Sequence, residues 1–150
     1  MATITAPVSS RSTLTTSALN SLASATYVSA GTVDVSATDP LDVILSVEVT
    51  PGTVSSNKQV LVFVQPSLDN TNFQTGPTSG TTTTDEANLL LLGVVPCNTN
   101  STLQRGHFSV AAALGYVPPY FKVICKNETG AALASSGHAV YYATVTGNSA

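Results

Sequence analysis

Two histidines are the residues of this sequence best suited to catalysis or metal binding. His107 and His138 lie 31 residues apart, and neither has a Cys, His or carboxylate at the short spacing that a zinc site uses. Ser136 lies two residues before His138, but a Ser-rich chain produces that spacing by chance, and the G-x-S-x-G turn of a hydrolase nucleophile is missing. We therefore expect both histidines to be hydrogen-bonded strand residues, and we expect no catalytic residue, cofactor site or metal site.

The acidic residues show no pattern typical of catalysis. All 8 carboxylates are dispersed along the chain, which argues against paired catalytic acids. Asp85 and Glu86 are adjacent in a loop, where a cation site would need more oxygen ligands at defined spacing. We interpret them as a solvated pair and predict that the protein is not an enzyme.

Cys97 and Cys125 could form one disulfide or remain two free thiols. Both lie beside apolar, strand-like residues, where free buried thiols are common. The first residues, MATITAPVSSRSTLTT, lack a basic-then-apolar signal pattern, so we expect synthesis in a cytoplasm that keeps thiols reduced. This context favours two free thiols.

The charge balance excludes two classes of partner. The 5 Lys and Arg residues are scattered and the net charge is -3, so no basic patch exists to bind nucleic acid. No apolar run approaches the 18 residues of a membrane span. Charged residues make up 9% of the chain, well below the usual quarter. Such a surface is typical either of burial against other proteins or of a Thr-rich sheet, and both interpretations stay open.

A glycan-binding surface is an alternative function for a chain of this composition. There is no Trp, but Tyr116, Tyr120, Tyr141 and Tyr142 could supply stacking rings. The stretch from Ser67 to Ala87 has no apolar period and is rich in turn formers, which indicates a long loop of the kind that often binds ligands. The competing interpretation places one end of each ring in the core.

The N-terminal region predicts an arm followed by a short helix. Residues 1–13 are rich in Ser, Thr and Pro and should be extended, leaving residues 14–150 as a single domain. In TTSALNSLASA, Thr15 or Thr16 could cap a helix of two to three turns.

Alternating apolar residues predict strands in the rest of the chain. DVILSVEV has one apolar face, whereas QVLVFVQP is apolar on both faces and needs a second cover, for which a neighbouring subunit is one candidate. YFKVICK should form a strand with one solvent-exposed face. In RGHFSVAAAL we favour a strand over a helix, because Gly115, Pro118 and Pro119 follow it. Seven or eight such strands joined by turns predict an all-β, antiparallel, jelly-roll-like sandwich.

Several segments resemble a group of small structural proteins of tailed-phage virions, of the capsid decoration or cement type. Those proteins tend to carry an LNSLA segment, a PSLDGTNY-like strand end, a proline pair before a strand and a closing N-x-[ST]-G-x-ALA-x-SG hairpin. The matching segments here are Leu19–Ala23, Pro66–Phe73, Pro118-Pro119 and Asn127–Gly137. Where that pattern has Asp-Gly, this chain has Asp69-Asn70, and Asn also tolerates positive φ, so we expect the turn to survive.

The resemblance implies a structural role in a virion and supplies no active-site motif. It implies a homo-oligomer, with a trimer favoured over a dimer, that binds the major capsid protein across capsomer junctions and stabilises the shell. A tail, neck or fibre component of the same particle is an alternative that the resemblance does not exclude. The expected location is the virion, after synthesis in the host cytoplasm.

Overall fold

The computed structural model describes residues 4–149, whose strands form antiparallel sheets that pack as a sandwich. In chain order the strands are β1 Ile4–Thr5, β2 Ser12–Thr15, β3 Tyr27–Asp34, β4 Asp42–Val49, β5 Gln59–Ser67, β6 Ser79–Gly80, β7 Leu90–Pro96, β8 Gln104–Ser109, β9 Tyr120–Asn127, β10 Ala139–Val145 and β11 Asn148–Ser149. The helices are a 3-10 helix over Glu86–Asn88 and α1 over Val110–Leu114.

The strand order identifies the sandwich as a jelly roll. One sheet has the order β2-β10-β4-β8, and the other has the order β6-β3-β9-β5-β7. The chain passes from sheet to sheet at each successive long strand, except from β5 to β7, which are neighbours in one sheet. Eight strands wound in this way form the two Greek keys of a jelly roll, so the predicted fold class is confirmed.

The core follows the two-residue period of the strands. Val43, Leu45, Val47 and Val49 of β4 are fully buried, as their alternation predicts. On the facing sheet, inward residues of β5 and β9 complete the same cluster; they are Val60, Val62, Val64, Phe121, Val123 and Cys125.

A second apolar cluster covers the outer face of the five-stranded sheet. Phe63 and Ile124 pack there with Tyr27 and with Leu89, which follows the long loop. The prediction that one face of YFKVICK is exposed to solvent was therefore wrong, because Ile124 is fully buried and Lys126 is only 7% exposed. This chain's own loop therefore supplies a second cover for β5 at Phe63.

The predicted short helix after Thr15 does not form. The Thr15 hydroxyl accepts hydrogen bonds from the N–H groups of Ser17 and Ala18, as a cap would. The chain then makes separate turns, because Ser21 has a φ of 54° and its N–H donates to the distant carbonyl of Ala134. The strand favoured for RGHFSVAAAL forms over its first half, which belongs to β8, whereas VAAAL forms α1. The Ser109 hydroxyl caps α1 and Gly115, with a φ of 79°, ends it.

The N-terminal arm lies along this chain's own last strand. β2 pairs with β10, Val8 bridges Val145, and β1 pairs with β11, all antiparallel. The predicted arm boundary at residue 13 thus falls within β2, and residues 1–3 of the arm lie outside the described residues. β1 and β11 therefore lie together at the same end of the sandwich.

Candidate binding surface at one end of the sandwich

The two histidines do not meet and have different surroundings. His138 is buried, its Nδ1 accepts the Thr50 N–H at 3.1 Å, and its Nε2 donates to the Ala134 carbonyl at 2.8 Å. Both ring nitrogens therefore serve the fold, and neither activates the exposed Ser136. His107 is an exposed residue of β8. Within residues 4–149, no group of three or more His, Cys, Asp or Glu residues could hold a metal ion.

Both cysteines are free and buried, as the sequence favoured. Cys125 lies opposite Val62 on one side of β5, whereas Cys97 follows β7 on the other side. Two strand spacings, about 10 Å, separate them, which exceeds the Cα separation that a disulfide tolerates. Burial raises the pKa of Cys97 to about 11 and that of Cys125 to about 12, so neither is a reactive thiolate at neutral pH.

Exposed apolar side chains gather at one end of the jelly roll. The described residues include six large exposed apolar side chains, and four of them belong to this end: Val8 (61% exposed), Leu41 (59%), Leu68 (81%) and Tyr116 (51%). The topology places them together, because β3 ends, β4 begins, β5 ends and β9 begins here. We call this surface, defined by these four residues and the loops that carry them, the apolar end.

The apolar end is continuous from one sheet to the other. On the four-stranded side, Val145 bridges Val8 and accepts the Leu41 N–H at 2.7 Å, so these neighbours share one backbone partner. A depression of about 270 Å³ follows, lined by Pro40 next to Leu41 and by Val117 next to Tyr116. It joins the loop between β3 and β4 to the loop that follows α1.

A larger pocket of about 380 Å³ lies on the five-stranded side of the same end. Tyr116 and Leu68 line it together with polar groups of the long loop, among them Asn72 and Gln74. Two prolines, Pro66 and Pro118, complete its apolar lining and restrict the backbone on both sides. The pocket therefore combines a half-exposed ring with carboxylate and amide groups.

The turn that presents Leu68 is organised by Asp69. Its carboxylate accepts the N–H groups of Asn72 at 2.7 Å and Thr71 at 2.9 Å, the side-chain amide of Asn72 at 2.7 Å and the Ser67 hydroxyl at 3.0 Å. These bonds, led by those from the Asn72 and Thr71 backbone, hold the pKa of Asp69 well below its usual range. Asn70 has a φ of 59°, so the turn survives without glycine as predicted.

The apolar end is also negatively charged. Aspartates stand in or beside its loops, namely Asp34, Asp39, Asp42 and Asp69. Of the five basic residues, Arg11 is the one in those loops, where it directly precedes β2. Two of them, Arg11 and Arg105, flank Glu48 on the outer face of the four-stranded sheet, at 3.5 and 3.2 Å. Within the described residues, the end therefore offers a partner apolar contacts and fixed negative charge.

The structure brings together part of the predicted glycan site. Tyr116 joins the start of the Ser67–Ala87 loop, whereas Tyr120 is half-buried in β9 and does not line the pocket. Tyr141 lies beneath Arg11, with 4.0 Å from the guanidinium carbon to the ring centre, and Tyr142 packs against the core. These two tyrosines belong to the other sheet and cannot contribute.

Leu41 and Leu68 carry no sequence pattern that predicts them as contacts. Each is a single apolar residue in a turn, within Pro-Leu-Asp and Ser-Leu-Asp respectively. A leucine isolated among turn-forming residues does not belong to the buried face of a strand. That isolation is the sequence signal that could have identified Leu41 and Leu68 as exposed.

The prediction that Asp85 and Glu86 form a solvated pair was wrong for Glu86 only. Glu86 is not simply solvated, because its carboxylate lies 2.7 Å from the ammonium group of Lys126. Asp85, its neighbour, is exposed.

No protein-family model, no curated protein and no solved structure matches this chain. Among the described residues, no helix is long and apolar enough to cross a membrane. The chemistry of the apolar end is therefore the guide to function.

Proposed function

We propose that this chain is a structural protein of a tailed-phage virion that decorates the capsid as a homo-oligomer and stabilises the shell. In this role it binds the major capsid protein across junctions between capsomers. The role involves no catalysis, and its partners are proteins and not nucleic acid or membrane.

The apolar end is the observation that carries the proposal. A leucine that is 81% exposed on a rigid turn has no role in this chain's own core. Four exposed apolar residues around two depressions are typical of a surface that another protein covers. Because aspartates surround this surface, a complementary site on the shell would carry Lys or Arg at its rim.

The mechanism that follows from this surface is mechanical. Each copy makes a modest contact through its apolar end, and an oligomer engages several sites at once, so avidity offsets weak binding at each site. Because the oligomer binds the assembled shell and not its separated subunits, binding shifts the equilibrium towards the assembled state. The extra stability would oppose the internal pressure of packaged DNA.

Copy number tests this proposal. The purified protein is sedimented with empty capsids of the phage whose genome encodes it, and the bound protein is counted per particle. Hundreds of saturable copies support a decoration role. A handful of copies would indicate a tail, neck or fibre component, and failure to sediment would reject both positions.

Glycan binding is a second candidate, and one observation favours it. Tyr116 lines the pocket of about 380 Å³ together with Asp69, Asn72 and Gln74. The ring can stack on a sugar, and the side-chain oxygens can accept hydrogen bonds from the sugar's hydroxyl groups. Binding of the isolated protein to a glycan array, lost in Tyr116→Ala but kept in Tyr141→Ala, would support this candidate over capsid binding.

A further inference from the structure

We propose that β7 pairs antiparallel with β7 of a second copy, forming a twofold dimer in which Leu91 of each copy contacts Val94 of the other. This inference deepens the homo-oligomer part of the proposed function and rests on it. It accounts for Leu91 and Val94, the two large exposed apolar residues of the described chain that lie outside the apolar end.

β7 is an open edge of the five-stranded sheet. It is hydrogen-bonded to β5 on one side, and no strand of the described residues pairs with its other side. The unpaired N–H and C=O groups of such an edge are a template for another strand. Proteins protect an edge with charge, short length, proline or a bulge. β7 is seven residues long and uncharged; its proline, Pro96, is its last residue, and its bulge lies at Leu92.

The other edges of the two sheets are protected in these ways. β8 carries Arg105, β2 directly follows Arg11, and β6 is two residues long. Among the sheet edges in residues 4–149, β7 is therefore the one best suited to strand pairing with another chain.

A bulge in β7 places its two exposed apolar residues on the same face. Val62 pairs with Gly93 but Phe63 pairs with Leu91, so Leu92 is an extra residue. Leu91 therefore lies beside Phe63, and Val94 lies beside Leu61, on the outer face of the sheet. Leu91 is 52% exposed and Val94 is 38% exposed, and they form a short apolar patch beside the loop-covered cluster.

This patch is self-complementary, which identifies a second copy as the occupant. Residues 91 and 94 are equidistant from the midpoint between Leu92 and Gly93, so a twofold axis there sets Leu91 of each copy against Val94 of the other. Two copies of a chain with net charge -3 repel each other, and an uncharged edge lets them meet without placing acids together. The twofold symmetry selects a dimer over the trimer that the sequence analysis favoured.

The test measures mass by light scattering across a range of concentrations for wild type, Leu91→Lys, Val94→Glu and their mixture. Wild type should be a dimer, and each variant alone should weaken dimerisation by about tenfold or more, because charges then face apolar residues. Mixing the two variants should restore dimers, since the heterodimer sets Lys at 91 against Glu at 94. Leu68→Lys, which alters the apolar end, is the matched control and should remain a dimer.

A monomeric wild type, a trimer, or a mixture that stays monomeric would each overturn the β7 interface. Co-sedimentation with capsids separates this result from the proposed function. Leu68→Lys should dimerise without binding capsids, whereas Leu91→Lys should still contact capsids with reduced avidity. If wild type dimerises through β7 but no variant or wild type binds capsids, the dimer stands and the capsid role fails.

Discussion

The side-chain amide of Asn127 donates a hydrogen bond to the carbonyl oxygen of Leu22 at 2.8 Å, although 105 residues separate them. The same amide donates to the Ala131 carbonyl at 2.8 Å, and its oxygen accepts the N–H and hydroxyl of Thr129. Asn127 is fully buried with every polar group bonded. This residue therefore joins the LNSLA turns to the closing hairpin, two of the segments on which the phage resemblance depends.

Replacing Asn127 with Asp should destabilise the protein by about 3–5 kcal/mol. The carboxylate cannot donate to the Leu22 and Ala131 carbonyls, and it would place a negative charge among buried oxygens. Chemical denaturation at pH 7 measures the loss as a lower denaturant midpoint.

Asn100→Asp is the matched control, because Asn100 also begins an N-x-[ST] triplet. Its side chain is exposed and uses only its oxygen, which accepts the Val54 N–H at 3.0 Å, so Asp can replace it. We expect a change within about 0.5 kcal/mol. Equal losses for the two variants would contradict the structural role assigned to Asn127.

The long loop should detach partly when Glu86 loses its charge. Glu86 binds Lys126 at 2.7 Å, and the Lys126 side chain is only 9% exposed. Glu86→Gln leaves Lys126 with Glu128, at 3.1 Å, as its single ionic partner, so we expect a loss of about 1–2 kcal/mol. Hydrogen exchange should increase in residues 68–89 and not in β4.

Asp85→Asn serves as the control for this variant. It removes the same charge one residue away, from an exposed side chain that makes no capping hydrogen bond to the 3-10 helix. If Asp85→Asn loosens the loop as much as Glu86→Gln does, the Lys126 contact is not what holds it.

The Lys126–Glu128 pair should contribute to the stability of the fold only within a pH window. Burial acts to raise the pKa of Glu128, but hydrogen bonds from Gln59, Lys126 and Asn57 outweigh it, so the pKa is lowered. Its contribution is thus present above its ordinary value of about 4.3 and is lost as pH falls through the folded pKa. Burial acts to lower the pKa of Lys126, yet its bonds to Glu86 and Glu128 raise it, so this contribution is lost only at strongly alkaline pH.

Glu128→Gln tests the acid limb of that window. The stability difference between wild type and variant should be constant from about pH 5 to pH 9 and should shrink below about pH 4. A difference that stays constant down to pH 2 would show that the carboxylate is not stabilised in the fold.

Phe63→Ala should cost about 3–5 kcal/mol, because the ring is 5% exposed beneath Leu89. Leu68→Ala is the control, since its side chain is 81% exposed and its removal should change stability by less than about 0.5 kcal/mol. Denaturation midpoints decide the matter, and a loss below about 1 kcal/mol for Phe63→Ala would place the ring outside a packed cluster.

The strands were predictable because their signal is local. The alternation in DVILSVEV is set by one buried face, formed by Val43, Leu45, Val47 and Val49. The prediction that Ile124 and Lys126 face solvent was wrong, because a loop more than thirty residues away in sequence covers them. The spacing of apolar residues in β9 cannot reveal that contact, because the residues that make it are Glu86 and Leu89 of the loop.

The N-terminal helix failed for a related reason. The cap at Thr15 is a local signal and is present, but the Ser21 N–H bonds to Ala134 near the other end of the chain. Tertiary hydrogen bonds outweighed a weak local preference for helix. The apolar end was missed because exposure is a property of the folded surface, and a lone leucine in a turn has no periodic neighbour to reveal it.

The most direct test of the capsid role is co-sedimentation of wild type, Leu68→Lys and Asn98→Lys with empty capsids at one salt concentration. Both variants add the same charge at exposed sites, Leu68 at the apolar end and Asn98 in the loop at the opposite end. The proposal predicts that wild type and Asn98→Lys bind in hundreds of copies while Leu68→Lys loses most of its binding. Equal binding by all three proteins, or none by any, would contradict it.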